Sequence, residues 1–318
     1  MILCCGEALI DMLPGKTDGG EAAFVPHVGG AVFNTAIALG RLGIPTGLFS
    51  GLSRDVFGQS LVHALNESGV DLRHAHFSDR PTTLAFAHLR NGHAVYSFYD
   101  ENSAGRMVTQ PDLPLSDESV TALHFSCISL VAEPCGTEYE TLMQREHQRR
   151  VIMLDPNIRD GFITDRTRHL ERMRRMIAMS DIVKLSDEDM DWFGEGANHN
   201  DIAQRWLTMG PKMVVLTRGA QGSVGYTTQS RVELRAPPVD VVDTVGAGDT
   251  FNAGLLGWLH DTGLLSKENI AGLSRNDLSA ALDFATKAAA ITVSRAGANP
   301  PWRSELGSLK LPSKDPVQ

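Results

Sequence analysis

Short apolar runs alternate along the chain with longer stretches in which apolar positions recur every three or four residues. The short runs predict strands over residues 1–5, 46–51, 122–129, 151–155, 181–185 and 213–217. Several are apolar at successive positions, the pattern of a strand covered on both faces. The periodic stretches predict helices over residues 34–42, 58–68, 138–149, 166–179, 201–209, 249–259 and 277–293. Strand–helix alternation of this kind implies an α/β fold, a mostly parallel sheet with helices on both faces.

Two regions break the alternation. Residues 14–30 are rich in Gly, Pro and charge, and residues 82–99 read as two alternating β-runs around Asn91-Gly92, a strong hairpin signal. A hairpin set into a parallel array predicts a flap over the edge that carries the site. The expected organisation is one domain over residues 1–310, with lid elements at about 12–31 and 81–103 and a loosely ordered tail at 311–318. The arginine-rich helix near residues 166–175 resembles an anion site at first sight. Leu170, Met173 and Ile177 recur on one side of it and Glu171 interrupts the basic run, so it reads as a solvated amphipathic helix.

Composition narrows the picture. Of 318 residues, 42% are hydrophobic and 21% charged, values that support a substantial core. The net charge of −9 excludes a nucleic-acid partner that would need a basic face. The apolar runs fall short of the ~20 residues that cross a bilayer, and the start, with Glu7 and Asp11 soon after Met1, lacks the basic leader of a signal peptide. The four cysteines, Cys4, Cys5, Cys127 and Cys135, form no C-x-x-C pair and read as small core residues. A reducing cytoplasm is the expected compartment.

The chemistry concentrates in Asp243-Thr-Val-Gly-Ala-Gly-Asp-Thr-Phe251. Gly246, Ala247 and Gly248 sit where a loop turns into a helix. Small side chains let an anion approach the backbone, and the helix start offers unpaired N–H groups and a favourable dipole. That combination makes an anion hole suited to the outer phosphates of ATP. Asp249 follows immediately, placed to accept the proton of an attacking hydroxyl. Taken alone, Asp249 could equally be a helix cap; the whole string favours the base. Gly15-Lys16-Thr17 imitates the end of a Walker A loop, but Ile10 stands where that loop needs Gly. Phe251 likewise occupies the third glycine position of G-x-G-x-x-G.

The string DTVGAGDTF and the segment Gly29-Gly-Ala-Val-Phe-Asn34-Thr-Ala36 resemble the two signature regions of the ribokinase/PfkB carbohydrate kinase family. With the opening Gly6-Glu-Ala-Leu-Ile-Asp11 and Asp155-Pro-Asn-Ile-Arg159, the chain is similar to the bacterial fructokinases within that family, over nearly its whole length. The resemblance implies a ribokinase-like fold with a small β lid. It implies that Asp11, Gly29, Gly30 and Asn34 receive the sugar, and that Asn157 and Arg159 face the substrate or the transferring phosphate. Thr217, Gly219 and Gly222 fall on the nucleotide side with Gly246 and Gly248. The family's N-x-x-E motif organises Mg²⁺ through water. Here Ser186 replaces its Asn and Asp189 its Glu, with Glu188 as the alternative acid. A monovalent cation, K⁺, would fall near Asp243, Val245 and Gly297.

Related kinases for 2-keto-3-deoxygluconate grip the substrate carboxylate with an Arg after a Tyr. Asp100 follows Tyr99 here, beside Glu101, so a neutral sugar is expected. D-fructose, giving fructose 6-phosphate, leads; ribose, adenosine and 2-keto-3-deoxygluconate are the alternatives. A non-catalytic sugar or nucleotide sensor is the reading from another class. The expected partners are sugar, ATP and a second copy of the chain meeting it through the lid, because an exposed sheet edge seeks cover.

Overall fold

The computed structural model describes residues 1–90, 93–115, 117–194, 196 and 198–307. The expected tail and the Asn91-Gly92 turn lie outside them. Along the chain run β1 (Ile2–Cys5), β2 (Leu9–Lys16), β3 (Ala22–Gly29), α1 (Ala31–Arg41), β4 (Thr46–Phe49), β5 (Gly51–Ser53), α2 (Val56–Glu67) and β6 (His76–Ser78). Then come β7 (Leu84–Arg90), β8 (His93–Tyr99), β9 (Ala122–Ser126), α3 (Cys135–Glu146), β10 (Val151–Asp155), α4 (Arg166–Met179), β11 (Ile182–Ser186), α5 (Asp187–Trp192) and α6 (His199–Met209). The last are β12 (Met213–Thr217), β13 (Ser223–Tyr226), β14 (Arg231–Leu234), α7 (Ala247–Asp261), α8 (Lys267–Ala271) and α9 (Arg275–Val293).

The central sheet has eight strands in the order β14-β13-β12-β11-β10-β9-β1-β4. It is parallel from β4 to β12, with β13 and β14 antiparallel at one edge. Its strands are apolar throughout because both faces are covered. Ile2, Cys4, Met153, Ile182 and Val215 pack toward α1, α7 and α9. Their neighbours Leu3, Cys5, Leu154, Val183 and Val214 pack toward α3, α4 and α6. All four cysteines are buried and free, as a core role requires.

The chain leaves β1 for β4 on one side and resumes on the other with β9, so the carboxyl ends of β1 and β9 open a crevice at a topological switch point. Open α/β sheets hold their ligands in such a crevice. Over it stands a second sheet of four strands, β3-β2-β7-β8. Residues 14–30, which break the helical pattern in the sequence, are the β2–β3 hairpin, paired from Leu9↔Gly29 to Lys16↔Ala22. β7 and β8 pair antiparallel as the alternation predicts. The small sheet is held by edge-to-face aromatics: Phe24 on Phe86 at 4.9 Å, Phe86 on Tyr99 at 5.3 Å, and Phe98 on Phe162 of the main body at 5.0 Å.

Candidate active site

The start of α7 is built by Gly246. It takes the left-handed conformation with φ 75°, and a Cβ there would lie 2.7 Å from that of Ala298. This turn points the first amides of the helix outward. Among the described residues those of Gly248 and Asp249 donate to no partner, as an anion hole requires. The same turn brings Asp249 inward to a buried position.

Gly246, Gly248 and Asp249 line one wall of a cavity of about 330 Å³, with Thr244 and Val245 beside them. Asp11, Gly30, Asn34, Asn157 and Arg159, all singled out in the sequence, line it as well. Gly29 lies beneath Asp11, whose Oδ2 would be 2.2 Å from any Cβ at that position. Gly30 has φ 107° and begins α1; a Cβ there would meet the Glu7 carbonyl at 2.9 Å. The glycine pair is thus required by the packing of its own loop.

Asn34 donates from Nδ2 to Asp249 Oδ2 at 2.9 Å, a pairing the sequence did not reveal. Burial pushes the Asp249 carboxyl up to about 7, against the pull of Asn34; Asp155 adds to the rise, and Lys184 and Arg159 oppose it. A carboxylate that titrates near neutrality is suited to act as a general base. Burial also raises Asp11, to about 6, and Arg159 opposes that rise. At the mouths of β9 and β10, Cys127 and Asn157 hold φ of 61° and 41°, a left-handed backbone that costs about 1–3 kcal/mol and clusters at functional sites.

Several lining groups carried no advance assignment. Glu7 accepts from the amides of Ala31 at 2.9 Å and Ser129 at 3.4 Å, so its carboxylate fills the start of α1 and fastens the two walls of the crevice. Lys184 is a lysine inside an apolar strand, a signal the sequence did carry. Tyr96 and Phe98 reach the cavity from β8, and Cys127 and Ile128 close its floor.

Other expected residues lie apart from this cavity. Thr217 ends β12 and Gly219 and Gly222 follow it on the same sheet edge, outside the cavity lining; a Cβ on Gly222 would strike the Leu234 carbonyl at 2.0 Å. Asp243 accepts from the amides of Val245 at 3.0 Å and Gly297 at 2.9 Å, so its carboxylate ties the three positions into one loop. Asp189 accepts from Ile158 N at 2.8 Å and Ser186 N at 3.1 Å. It clamps the Asn157–Arg159 segment to the start of α5, while Glu188 is exposed. Among the described residues no group of three His, Cys, Asp or Glu side chains is placed to hold a metal. That donor set suits an ion that arrives with nucleotide phosphates and keeps most of its water.

One expectation needs correcting. Asp100 and Glu101 do not line this cavity: Asp100 is buried against Arg106 at 3.0 Å and Glu101 is exposed. The acids that line the cavity are Glu7, Asp11 and Asp249, against Arg159 and Lys184.

A second, more apolar cavity of about 300 Å³ is lined by Pro237, Val239, Lys287, Ala290, Ile291, Ser294 and Leu306. The segment from Val239 to Val245 leads from it to the anion hole.

Comparison with known proteins adds three findings. A family model described as pfkB family carbohydrate kinase matches residues 1–305. A fructokinase of Rhizobium leguminosarum bv. trifolii is 54% identical over 87% of this chain and 85% of its own, and one from Escherichia coli is 32% identical over 96% and 97%. The crystal structure of a Xylella fastidiosa fructokinase with bound ATP superposes with a TM-score of 0.88 at 27% identity, covering 96% of each chain.

Proposed function

The chain belongs to the pfkB family of carbohydrate kinases, and we propose that it transfers the γ-phosphoryl group of ATP to D-fructose, giving fructose 6-phosphate. The observation that carries the reading is the Asp249 carboxylate, buried, raised to about 7 and set beside the free amides of α7 in the cavity that also holds Asp11, Asn34 and Arg159. The relatives that bear the name fructokinase select the sugar.

Asp11 and Asn34 hold sugar hydroxyls from the crevice side, and Tyr96 and Phe98 cover the sugar's apolar face. The outer phosphates of ATP lie on the amides of Gly248 and Asp249, and Arg159 balances the charge that the transferring group carries. Thr217, Gly219 and Gly222 border the nucleotide, and its base occupies the apolar cavity between Val239 and Ile291. The acceptor hydroxyl gives its proton to Asp249 as its oxygen bonds to the γ-phosphorus and the bond to the ADP oxygen breaks. Positioning and charge balance supply most of the barrier reduction.

Asp189 and Glu188, at the position the family uses for Mg²⁺, would hold the ion through water, and it would offset phosphate charge. Asp243, Val245 and Gly297 form the loop suited to K⁺. No helix among the described residues is long and apolar enough to cross a membrane, which suits work in the cytoplasm. The four-stranded sheet serves as the lid and as the surface through which two chains pair.

The test is ADP release across a panel of fructose, ribose, adenosine, 2-keto-3-deoxygluconate and glucose, with the product identified by NMR. Fructose turnover at least tenfold above the others, with phosphate on O6, is the expected result. Sugar binding without turnover of any member would instead mark a sensor.

A further inference from the structure

Beneath the first turn of α7 lies an ion pair that the catalytic reading does not use. Asp155 ends β10 and is completely buried; Lys184, mid-way along β11, is nearly so. Lys184 Nζ donates to Asp155 Oδ2 at 3.0 Å, and Asn252 Nδ2 donates to the same oxygen at 2.7 Å. Asn252 lies three residues after Asp249, so it projects from the same side of α7. The ammonium also touches the helix start: a Cβ built on Gly248 would be 3.1 Å from Nζ. Gly248 therefore serves two surfaces, bare backbone toward the cavity and room for a cation below.

A buried ion pair is weak evidence of stabilisation, since the desolvation of both charges offsets their attraction. This pair is also incompletely bonded. Among the described residues Asp155 Oδ1 and Asn252 Oδ1 have no partner. A core built for stability alone would do better with apolar residues here. The neighbourhood explains the choice. The charged and titratable groups facing Asp249 are Asp155 from β10, Lys184 from β11, Arg159 from the loop after β10 and Cys127 from the turn after β9, with Glu7, Asp11 and Tyr96 across the cavity. Five of the seven, Asp155, Glu7, Asp11, Cys127 and Tyr96, oppose a negative charge on Asp249 when ionised; only Lys184 and Arg159 favour it. Arg159 stands in the cavity, where phosphate competes for it. Lys184 also borders the cavity but is held from below by the buried Asp155.

We propose that the Asp155–Lys184 pair, clasped by Asn252, is a positioning device for the catalytic base: it ties the first turn of α7 to the sheet and places the lysine beside the Asp249 carboxylate. Asp155 holds the lysine in place, and Lys184 offsets Asp155, so the two act as a unit. The inference rests on Asp249 as the proton acceptor.

The test uses the full chain and the variants Lys184→Met, Lys184→Arg, Asp155→Asn and the double Asp155→Asn/Lys184→Met. The Asp249 carboxyl is titrated by ¹³C NMR of aspartate-labelled protein, its signal assigned by loss in Asp249→Asn, and the pH profile of fructose turnover is measured alongside. Lys184→Met leaves Asp155 uncompensated and should raise the Asp249 midpoint by about one pH unit or more, lowering the rate at pH 6.5 about tenfold. Lys184→Arg should leave the midpoint in place, Asp155→Asn should lower it, and the double variant should fall within about half a unit of the unaltered protein. A lysine that only fills space would cost activity or stability without moving the midpoint. An unmoved midpoint in folded Lys184→Met, or a double variant displaced as far as Lys184→Met, would overturn the proposal. Should Lys184→Met not fold, Asp155→Asn decides by whether its midpoint falls or stays. The NMR titration needs no turnover, so failure of the fructose reading would be visible separately.

Discussion

The start of α7 and the four-stranded sheet face each other across one cavity and are built on opposite terms. At α7 the functional groups are buried and bound to other parts of the same chain: Asp249 to Asn34, Asp155 to Lys184 and Asn252. The sheet instead carries Phe24, Val25, Tyr96 and Tyr99 exposed. The first region is organised before any ligand arrives, which is what electrostatic stabilisation of a transition state requires. The second leaves aromatic surface exposed, which we propose sugar and a second chain cover. Changes at α7 should therefore act on the chemical step, and changes in the sheet on binding and association.

The largest effect that would break this contrast is at Asp249. Asp249→Asn should lower turnover about 10²–10⁴-fold, the range for losing a general base, while calorimetry shows fructose affinity little changed. The same variant should be more stable. Burial raises the native carboxyl to about 7, so the folded state binds more protons than the unfolded chain between about pH 4 and 7, and stability falls as pH rises through that window. Removing the charge should add about 1–3 kcal/mol at pH 8 by urea denaturation. Near wild-type turnover in Asp249→Asn would sink the assignment.

The pH profile comes next in size. With the base titrating near 7, kcat/KM for fructose should rise through pH 7 and fall about tenfold per unit below it. Asp11, raised to about 6, steepens the fall below that point if its ionised form holds the sugar. A flat profile between pH 5.5 and 8 would mean that proton removal is not part of the slow step.

The two regions also differed in how much the sequence disclosed. The anion hole was legible because backbone conformation demands it: Gly246 must take a left-handed φ, and Gly248 must leave room. Such needs restrict residue type strongly, and so leave a readable string. The six parallel strands of the main sheet were legible because covered faces must be apolar, whereas the antiparallel β13 and β14 were not foreseen. β2 and β3 were not, since most of their residues are half-buried or exposed and nothing forces an alternating pattern. Asn34 was recognised as a site residue, yet its bond to Asp249 joins positions 215 apart in the chain, which no local pattern encodes. Asp100 was read as facing the sugar from its place after Tyr99, but β8 ends at Tyr99 and the Arg106 ion pair holds Asp100 away from the cavity. Lys184 stands out as a charge within apolar β11, and only the fold showed that it pairs with Asp155.

On the sheet side, Phe98 is the sharper probe. Its ring lines the sugar cavity and packs on Phe162, so it joins sugar contact to the anchoring of the small sheet. Phe98→Ala should raise KM for fructose about tenfold with kcat within about threefold, the pattern of binding energy shared by ground and transition states. A fall in kcat as large as that of Asp249→Asn would erase the distinction between the two regions.

The smallest catalytic effect is expected at Tyr99. It lies on β8, an edge of the small sheet, with 64% of its surface exposed although its ring packs on Phe86. An aromatic at a sheet edge that is this exposed costs solubility unless another surface covers it. If the sheets of two chains cover each other, light scattering should give twice the chain mass of 34.5 kDa, and Tyr99→Asp should move the protein toward the monomer because it buries a charge in that contact. Tyr99 is absent from the lining of the sugar cavity, so kcat at saturating substrates should stay within about threefold. A wild-type monomer at micromolar concentration would leave these aromatics without a second chain to cover them. A Tyr99→Asp dimer as tight as wild type would move the contact off this edge. Either result would separate the lid from association and leave it with sugar binding alone.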